Sequence, residues 1–129
     1  MVTGDTLLLA GVGRPDLDSG SGEESASRAL LLHQSIATLL ELPGTTLVLP
    51  AHVPEPVHFD GRLLTTSLAN IRDTVGLTRL KPADFVEAVL ARIPPSPPNH
   101  SRIIELNERG ELPDDPSELE AGANRCAVA

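Results

Sequence analysis

Two residues that can ligate a metal stand against short apolar runs. Asp5 lies directly ahead of Thr6-Leu7-Leu8-Leu9-Ala10-Gly11-Val12, and His52 closes Leu47-Val48-Leu49-Pro50-Ala51. Apolar runs of this length without polar alternation have the character of strands buried on both faces. A carboxylate and an imidazole would then be delivered at strand ends, and both are common metal ligands. Each also has a plainer reading: Gly-Asp is a common turn pair, and a strand-end histidine can be satisfied by backbone groups. Arg14 and Asp16, two residues apart in Gly13-Arg14-Pro15-Asp16, could form a surface ion pair of little energetic weight. The other histidines offer less. His33 follows Leu32 in a helical pattern and reads as a half-buried packing residue. His58 and His100 lie in proline-bounded loops with no partner at ligand spacing. Cys126 reads as a small hydrophobe in a docked tail.

The elements that must position these groups are legible from apolar spacing and punctuation. Thr6 to Val12 is expected as a strand ended by Gly11, Gly13 and Pro15, followed by loop residues Asp18 to Gly22. Ser21 with Glu24 forms a capping box for a helix over about Glu23 to Leu42, in which Ala29, Leu32, Ile36, Leu39 and Leu40 share one face. Pro43-Gly44 stops it, and Thr45 to Pro50 is expected as the second strand. Pro54 and Pro56 keep the next loop extended, and Asp60-Gly61 signals a turn. A short strand is expected over Arg62 to Thr65 and a short helix over Ser67 to Val75, with Leu68, Ile71 and Val75 inward. Pro82 suits a first helical position, ahead of the stripe Phe85, Val86, Val89, Leu90 and Ile93. Pro94 to Pro98 forces an extended segment, and residues from about Asn107 onward are acidic and rich in turn formers. No internal repeat is visible.

Composition bounds the function classes. A chain of 129 residues, 40% hydrophobic, suits one small domain with a core. Its 18 acidic residues against 10 basic ones give a formal charge of -8, which repels phosphate backbones and anionic headgroups and argues against nucleic acid and membrane surfaces as partners. One cysteine permits no internal disulfide and suits a reducing cytoplasm. No apolar run approaches the roughly 20 residues of a membrane helix, and Met1 opens no signal-like segment.

The stretch Thr3-Gly4-Asp5-Thr6-Leu7-Leu8-Leu9-Ala10-Gly11-Val12-Gly13-Arg14-Pro15-Asp16, taken with Leu47-Val48-Leu49-Pro50-Ala51-His52, resembles the second half of a metallo-β-lactamase-fold domain. The Gly13-Arg14-Pro15-Asp16 ending is similar to the persulfide dioxygenase and glyoxalase II branch, and the resemblance runs from residue 3 to the C-terminus. It implies an α/β fold that is half of an αββα sandwich: strand-helix-strand, then short helices and an extended C-terminal tail. Residues 1–106 would be the half domain and 107–129 the acidic tail. By the same resemblance Asp5 is a metal ligand, bridging two ions in dinuclear hydrolases or joining two histidines around one iron in persulfide dioxygenases. His52 matches the last histidine of the metal set, either a ligand of a second ion or a group beside the metal. Arg14 and Asp16 match a segment close to the pocket, and the tail around Cys126 resembles one that some members share. The implied cofactor is Zn or Fe, and the implied substrates are thiol-derived, such as glutathione persulfide or a thioester, attacked by metal-activated water or oxygen.

The family's His-x-His-x-Asp-His motif and the isolated histidine after it would precede Asp5, which here has four residues before it, and no His-x-His occurs anywhere. Asp5 and His52 fall short of the three or four ligands that zinc or iron sites take. The expectation is therefore a severed C-terminal half, whether a truncated or split gene product, a mis-called start, or one part of an assembly. Such a chain would bind metal weakly or not at all alone, be inactive alone, and contribute no catalytic side chain of its own. Its partner would be the missing N-terminal half or a second copy, meeting an uncovered surface that includes Leu7, Leu9, Leu47 and Leu49. A second class remains open: a catalytically dead folding or interaction module, or an unselected gene remnant.

Overall fold

Strand β1 (Val2–Gly4) opens the chain and pairs in parallel with β3 (Leu47–Pro50), with Val2 opposite Leu49 and Gly4 opposite Pro50. On its other side β3 pairs antiparallel with β4 (Thr66–Ser67), giving the order β1-β3-β4. A second, two-stranded sheet joins β2 (Val12–Gly13) to β5 (Ala127–Val128), antiparallel. The computed structural model describes residues 1–17, 19–53, 58, 60–96, 98–119 and 127–128. Cys126, Pro54 and Pro56 lie outside the described residues.

The first strand differs from expectation. Thr6 to Val12 is not one strand but a doubled-back loop: Leu8 N–H donates to the Gly11 carbonyl at 3.0 Å, Gly13 N–H to that of Thr6 at 3.3 Å, and Leu7 bridges Val12. Leu7, Leu8 and Val12 are all buried. A tight reversal with both arms covered has the same unbroken apolar sequence as a single strand buried on two faces, so periodicity cannot separate them. The true strand precedes Asp5. Leu7, expected at an uncovered surface, is fully covered for the same reason, whereas Leu47 remains 52% exposed.

Helix α1 (Gly22–Leu40) begins as the capping residues require: Ser21 Oγ accepts from Glu24 N–H at 3.2 Å, and Glu24 reaches back to Gly20 N–H at 2.8 Å. Its apolar face meets α3 (Pro82–Leu90), which has proline at its first position and buries Phe85 and Val89. Between them α2 (Leu68–Thr74), capped by Ser67, turns Leu68 and Ile71 inward, and Val75 follows it into the core. The short strand falls at Thr66–Ser67 rather than Arg62 to Thr65, where Thr66 and Ser67 come into register with Val48 and Leu47, and the Thr65 hydroxyl beside it donates to the Val48 carbonyl at 2.7 Å. A further helix, α4 (His100–Arg109), buries Leu106 and ends at Gly110. The core gathers Leu7, Val12, Ile36, Val48, Leu68, Ile71, Phe85, Val89 and Val128. β3 thus points Val48 into the helices, while its alternate residue Leu47 and the β1 residue Val2, 81% exposed, face away.

Candidate functional site

Because β1 and β3 run parallel as neighbours, the residues that follow them leave the sheet at the same end. The Ala51 N–H donates to the Gly4 carbonyl at 3.1 Å and locks the two exits together. In open α/β sheets this carboxyl end of the strands is where ligands bind. Asp5 sits in a tight turn closed by Thr6 N–H to the Thr3 carbonyl at 3.1 Å. Gly4 occupies the turn's first central position at φ +52, a backbone that favours glycine. The Thr3 hydroxyl, buried, donates to the Leu7 carbonyl at 2.7 Å and fixes the turn from inside.

Asp5 and His52 meet there, 47 positions apart in sequence, with His52 Nδ1 hydrogen bonded to Asp5 Oδ1. Their side chains are 56% and 39% exposed, so the second carboxylate oxygen and the other ring nitrogen have room for a further partner. An Nδ1–H donated to the carboxylate leaves Nε2 as the lone-pair nitrogen, the arrangement by which carboxylates orient metal-binding histidines. Asp5 is thus a turn residue, as its plainer reading has it, while His52, two residues past β3, bonds a carboxylate rather than backbone, and the turn and strand bring the two into contact.

Gly13 closes the far side of Asp5. A side-chain carbon placed there would lie 2.0 Å from the Asp5 carbonyl oxygen, so only glycine permits this approach. Next to it Arg14 is no surface residue: its side chain is 1% exposed and forms a two-pronged pair with Asp16, Nε to Oδ1 at 2.9 Å and an NH2 nitrogen to Oδ2 at 2.7 Å. It also donates to the Pro94 carbonyl at 3.0 Å and the Pro95 carbonyl at 3.3 Å. These Arg14 hydrogen bonds hold the Asp16 carboxyl below its ordinary range; burial opposes them and the guanidinium charge adds to them. The pair straps the site loop to the proline-rich segment.

A cleft of about 340 Å³ opens beside Asp5, lined also by Gly13, Arg14, Leu17, Arg28 and Leu32. Sequence reasoning missed Arg28, which stands on α1 and pairs with Glu24 at 2.7 Å. Its spacing to Glu24 marks only a helical ion pair, and nothing in the sequence connects it with Asp5. His33 is structural as read: Nε2 bonds the Leu80 carbonyl at 3.0 Å, and the ring lies edge-on to Phe85 at 5.1 Å. His58 is exposed, and His100 opens α4. Among the described residues, no three His, Cys, Asp or Glu side chains converge in a way that could hold a metal ion. Nor is any described helix long and apolar enough to cross a membrane.

Parallel β1 and β3, with Asp5 and His52 following them at one end and helices packed over Val48, form part of a metallo-β-lactamase fold. The metallo-β-lactamase from Staphylococcus aureus subsp. aureus COL, a solved structure, is similar to this chain with a TM-score of 0.70 and 21% identity over 88% of its residues. The likeness covers 32% of that longer protein, so this chain spans about a third of its length. No family model matches the sequence, and no curated protein matches it.

Proposed function

We propose that this chain contributes Asp5 and His52 to the metal centre of a metallo-β-lactamase-fold enzyme, a metal-dependent hydrolase or persulfide dioxygenase acting on thiol-derived small molecules. One observation carries the reading: two residues of metal-ligating type, far apart in sequence, are brought into contact at the carboxyl ends of adjacent parallel strands. The donors fit such a centre in part. Zinc and iron sites take three or four protein ligands, so the others would come from a segment beyond these residues or from a separate chain. A bound Zn or Fe would supply Lewis acidity and an activated water or oxygen. Asp5 and His52 contribute a negative charge and an oriented imidazole, and Arg14 holds the adjoining wall of the cleft rigid. The similarity of Gly13-Arg14-Pro15-Asp16 to the dioxygenase and glyoxalase II branch supports thiol-derived substrates, and the single cysteine suits a cytoplasmic setting.

Supplying the chain with a segment that carries His-x-His-x-Asp-His, then measuring bound metal and turnover of glutathione persulfide and of a thioester, tests this reading. Metal retention that disappears in Asp5→Ala and turnover lowered in His52→Ala are expected. A reconstituted protein that takes up no metal, or whose metal ignores Asp5→Ala, would leave the interaction-module reading in place. That reading is favoured by the exposed apolar face of Val2 and Leu47.

A further inference from the structure

We infer that the C-terminal strand β5 is a positioning strap for Asp5, acting through β2 and Gly13. The chain of contacts is short and continuous. Val128 is 1% exposed and lies in register with Val12, and Ala127 is in register with Gly13. Gly13 in turn presses its bare Cα face against the Asp5 carbonyl and donates its N–H to the carbonyl of Thr6, the next residue. On the opposite side Asp5 is held through Gly4, whose carbonyl accepts from Ala51, through the turn closed by Thr6 and Thr3, and through His52. Asp5 is therefore clamped between two sheets: the one it leaves, and a two-stranded one whose second member comes from the other end of the chain.

Two-stranded pairings are marginal by themselves. β2 has two residues, and its ladder partner is β5, with the Leu7 to Val12 bridge as its other tie. Removing β5 releases one side of Gly13, lets the Thr3 to Thr6 turn relax outward, and breaks the hydrogen bond between the Asp5 carboxylate and His52. The main core does not depend on this contact in the same degree. Val128 belongs to the same cluster as Phe85, Leu68, Ile71 and Val89, but those four stand on α2 and α3, and α3 packs along α1. Loss of the strap should thus disorder the site at temperatures where the helical core is intact.

This inference rests on Asp5 and His52 being site residues, but its readout needs neither metal nor turnover. The ring nitrogen chemical shifts of His52, at a pH where the ring is neutral, report which nitrogen carries the proton. Hydrogen bonding to Asp5 favours the Nδ1–H form, and a free ring reverts toward Nε2–H, with Asp5→Ala, which leaves no acceptor, as the reference for the broken pair. We expect the Nδ1–H form in the unaltered chain and in Val128→Ile. Its loss is expected in Val128→Ala and on deletion of residues 127–129, with the methyl shifts of Leu68 and Ile71 unchanged. Retention of the Nδ1–H form in the deletion overturns the strap. So does a His52 signal that changes only at the temperature where the core methyls also lose their native shifts, which denotes a merely structural role; if the deletion does not fold, Val128→Ala is read by the same two criteria. An unaltered chain without the Nδ1–H form would instead remove the Asp5 and His52 pair itself, and the functional reading with it.

Discussion

At the residue scale the site divides into groups that face solvent and groups that hold them. Asp5 and His52 are half exposed, whereas Arg14 is enclosed and donates to Asp16 and to two proline carbonyls. The chain alone should bind Zn²⁺ or Fe²⁺ only weakly, because two ligands do not make a closed site. Sub-micromolar binding in calorimetry that vanished in Asp5→Ala would show a ligand missing from this account. Arg14→Ala takes from Asp16 the guanidinium that pairs with both its oxygens and from the Pro94 and Pro95 carbonyls their shared donor, a loss of about 3 kcal/mol by the usual cost of breaking an enclosed pair. Arg14→Lys should recover little, since an ammonium cannot match both carboxylate oxygens. Chemical denaturation of the three proteins at one pH checks both. Asp16 also gives a sign to the pH dependence. Its folded pKa lies below the ordinary 3.8, so its contribution is present above that value and is lost as pH falls through the folded one. The acid limb of a stability profile should accordingly flatten in Asp16→Asn.

At the element scale the helices are conventional and the strands are not. α1 is set by its cap and its apolar face, and Ser21→Ala should lower stability by about 1 kcal/mol, the usual value of such a cap. α3 is anchored by Phe85, fully buried and in edge contact with His33. Phe85→Ala should cost about 3–5 kcal/mol through lost burial and the cavity left behind. A drop of less than about 1 kcal/mol in denaturant titration would mean that α1 and α3 close over the gap. No described strand exceeds four residues, so each depends on its neighbours. β1 is useful to the site only because β3 lies beside it, and β2 only because β5 does.

At the scale of the whole molecule, the described residues bury Val48 of the β1-β3-β4 sheet under helices and leave other apolar side chains in and beside its strands exposed. Val2, Leu47, Leu63 and Leu64 are 81%, 52%, 75% and 43% exposed, within or next to these strands, and β1 forms a sheet edge. Contiguous apolar surface with an unpaired edge favours association. The isolated chain should therefore self-associate or bind a dye specific for exposed apolar surface, and Leu47→Lys should lower both signals. The charge of -8 keeps such a surface in solution without covering it. Light scattering that shows a cooperative, dye-silent monomer would mean that this face needs no partner. A complementing segment of a metallo-β-lactamase fold should suppress the dye signal while raising metal affinity.

Helices α1, α2 and α3, the Ser21 cap and the identity of Asp5 and His52 as possible ligands were determined by the sequence itself, whereas α4, which takes up His100 from what reads as a loop, was not. Capping chemistry, proline at a first turn and a 3.6-residue apolar period act over a few positions and leave a local mark. The pairing of Asp5 with His52 was a matter for tertiary structure, because it requires β1 and β3 to be parallel neighbours, and strand register over 47 residues leaves no trace in either segment. The doubling back of Leu7 to Val12 was hidden for a related reason: burial on both arms of a reversal erases the alternation that would have revealed it. Arg14 and Asp16 looked like a surface pair until the proline carbonyls some 80 positions away enclosed them. Gly13 looked like a strand stop, yet its missing side chain is what lets β2 press against the Asp5 carbonyl. That requirement exists only where two backbones come within contact distance, which no single stretch of sequence records.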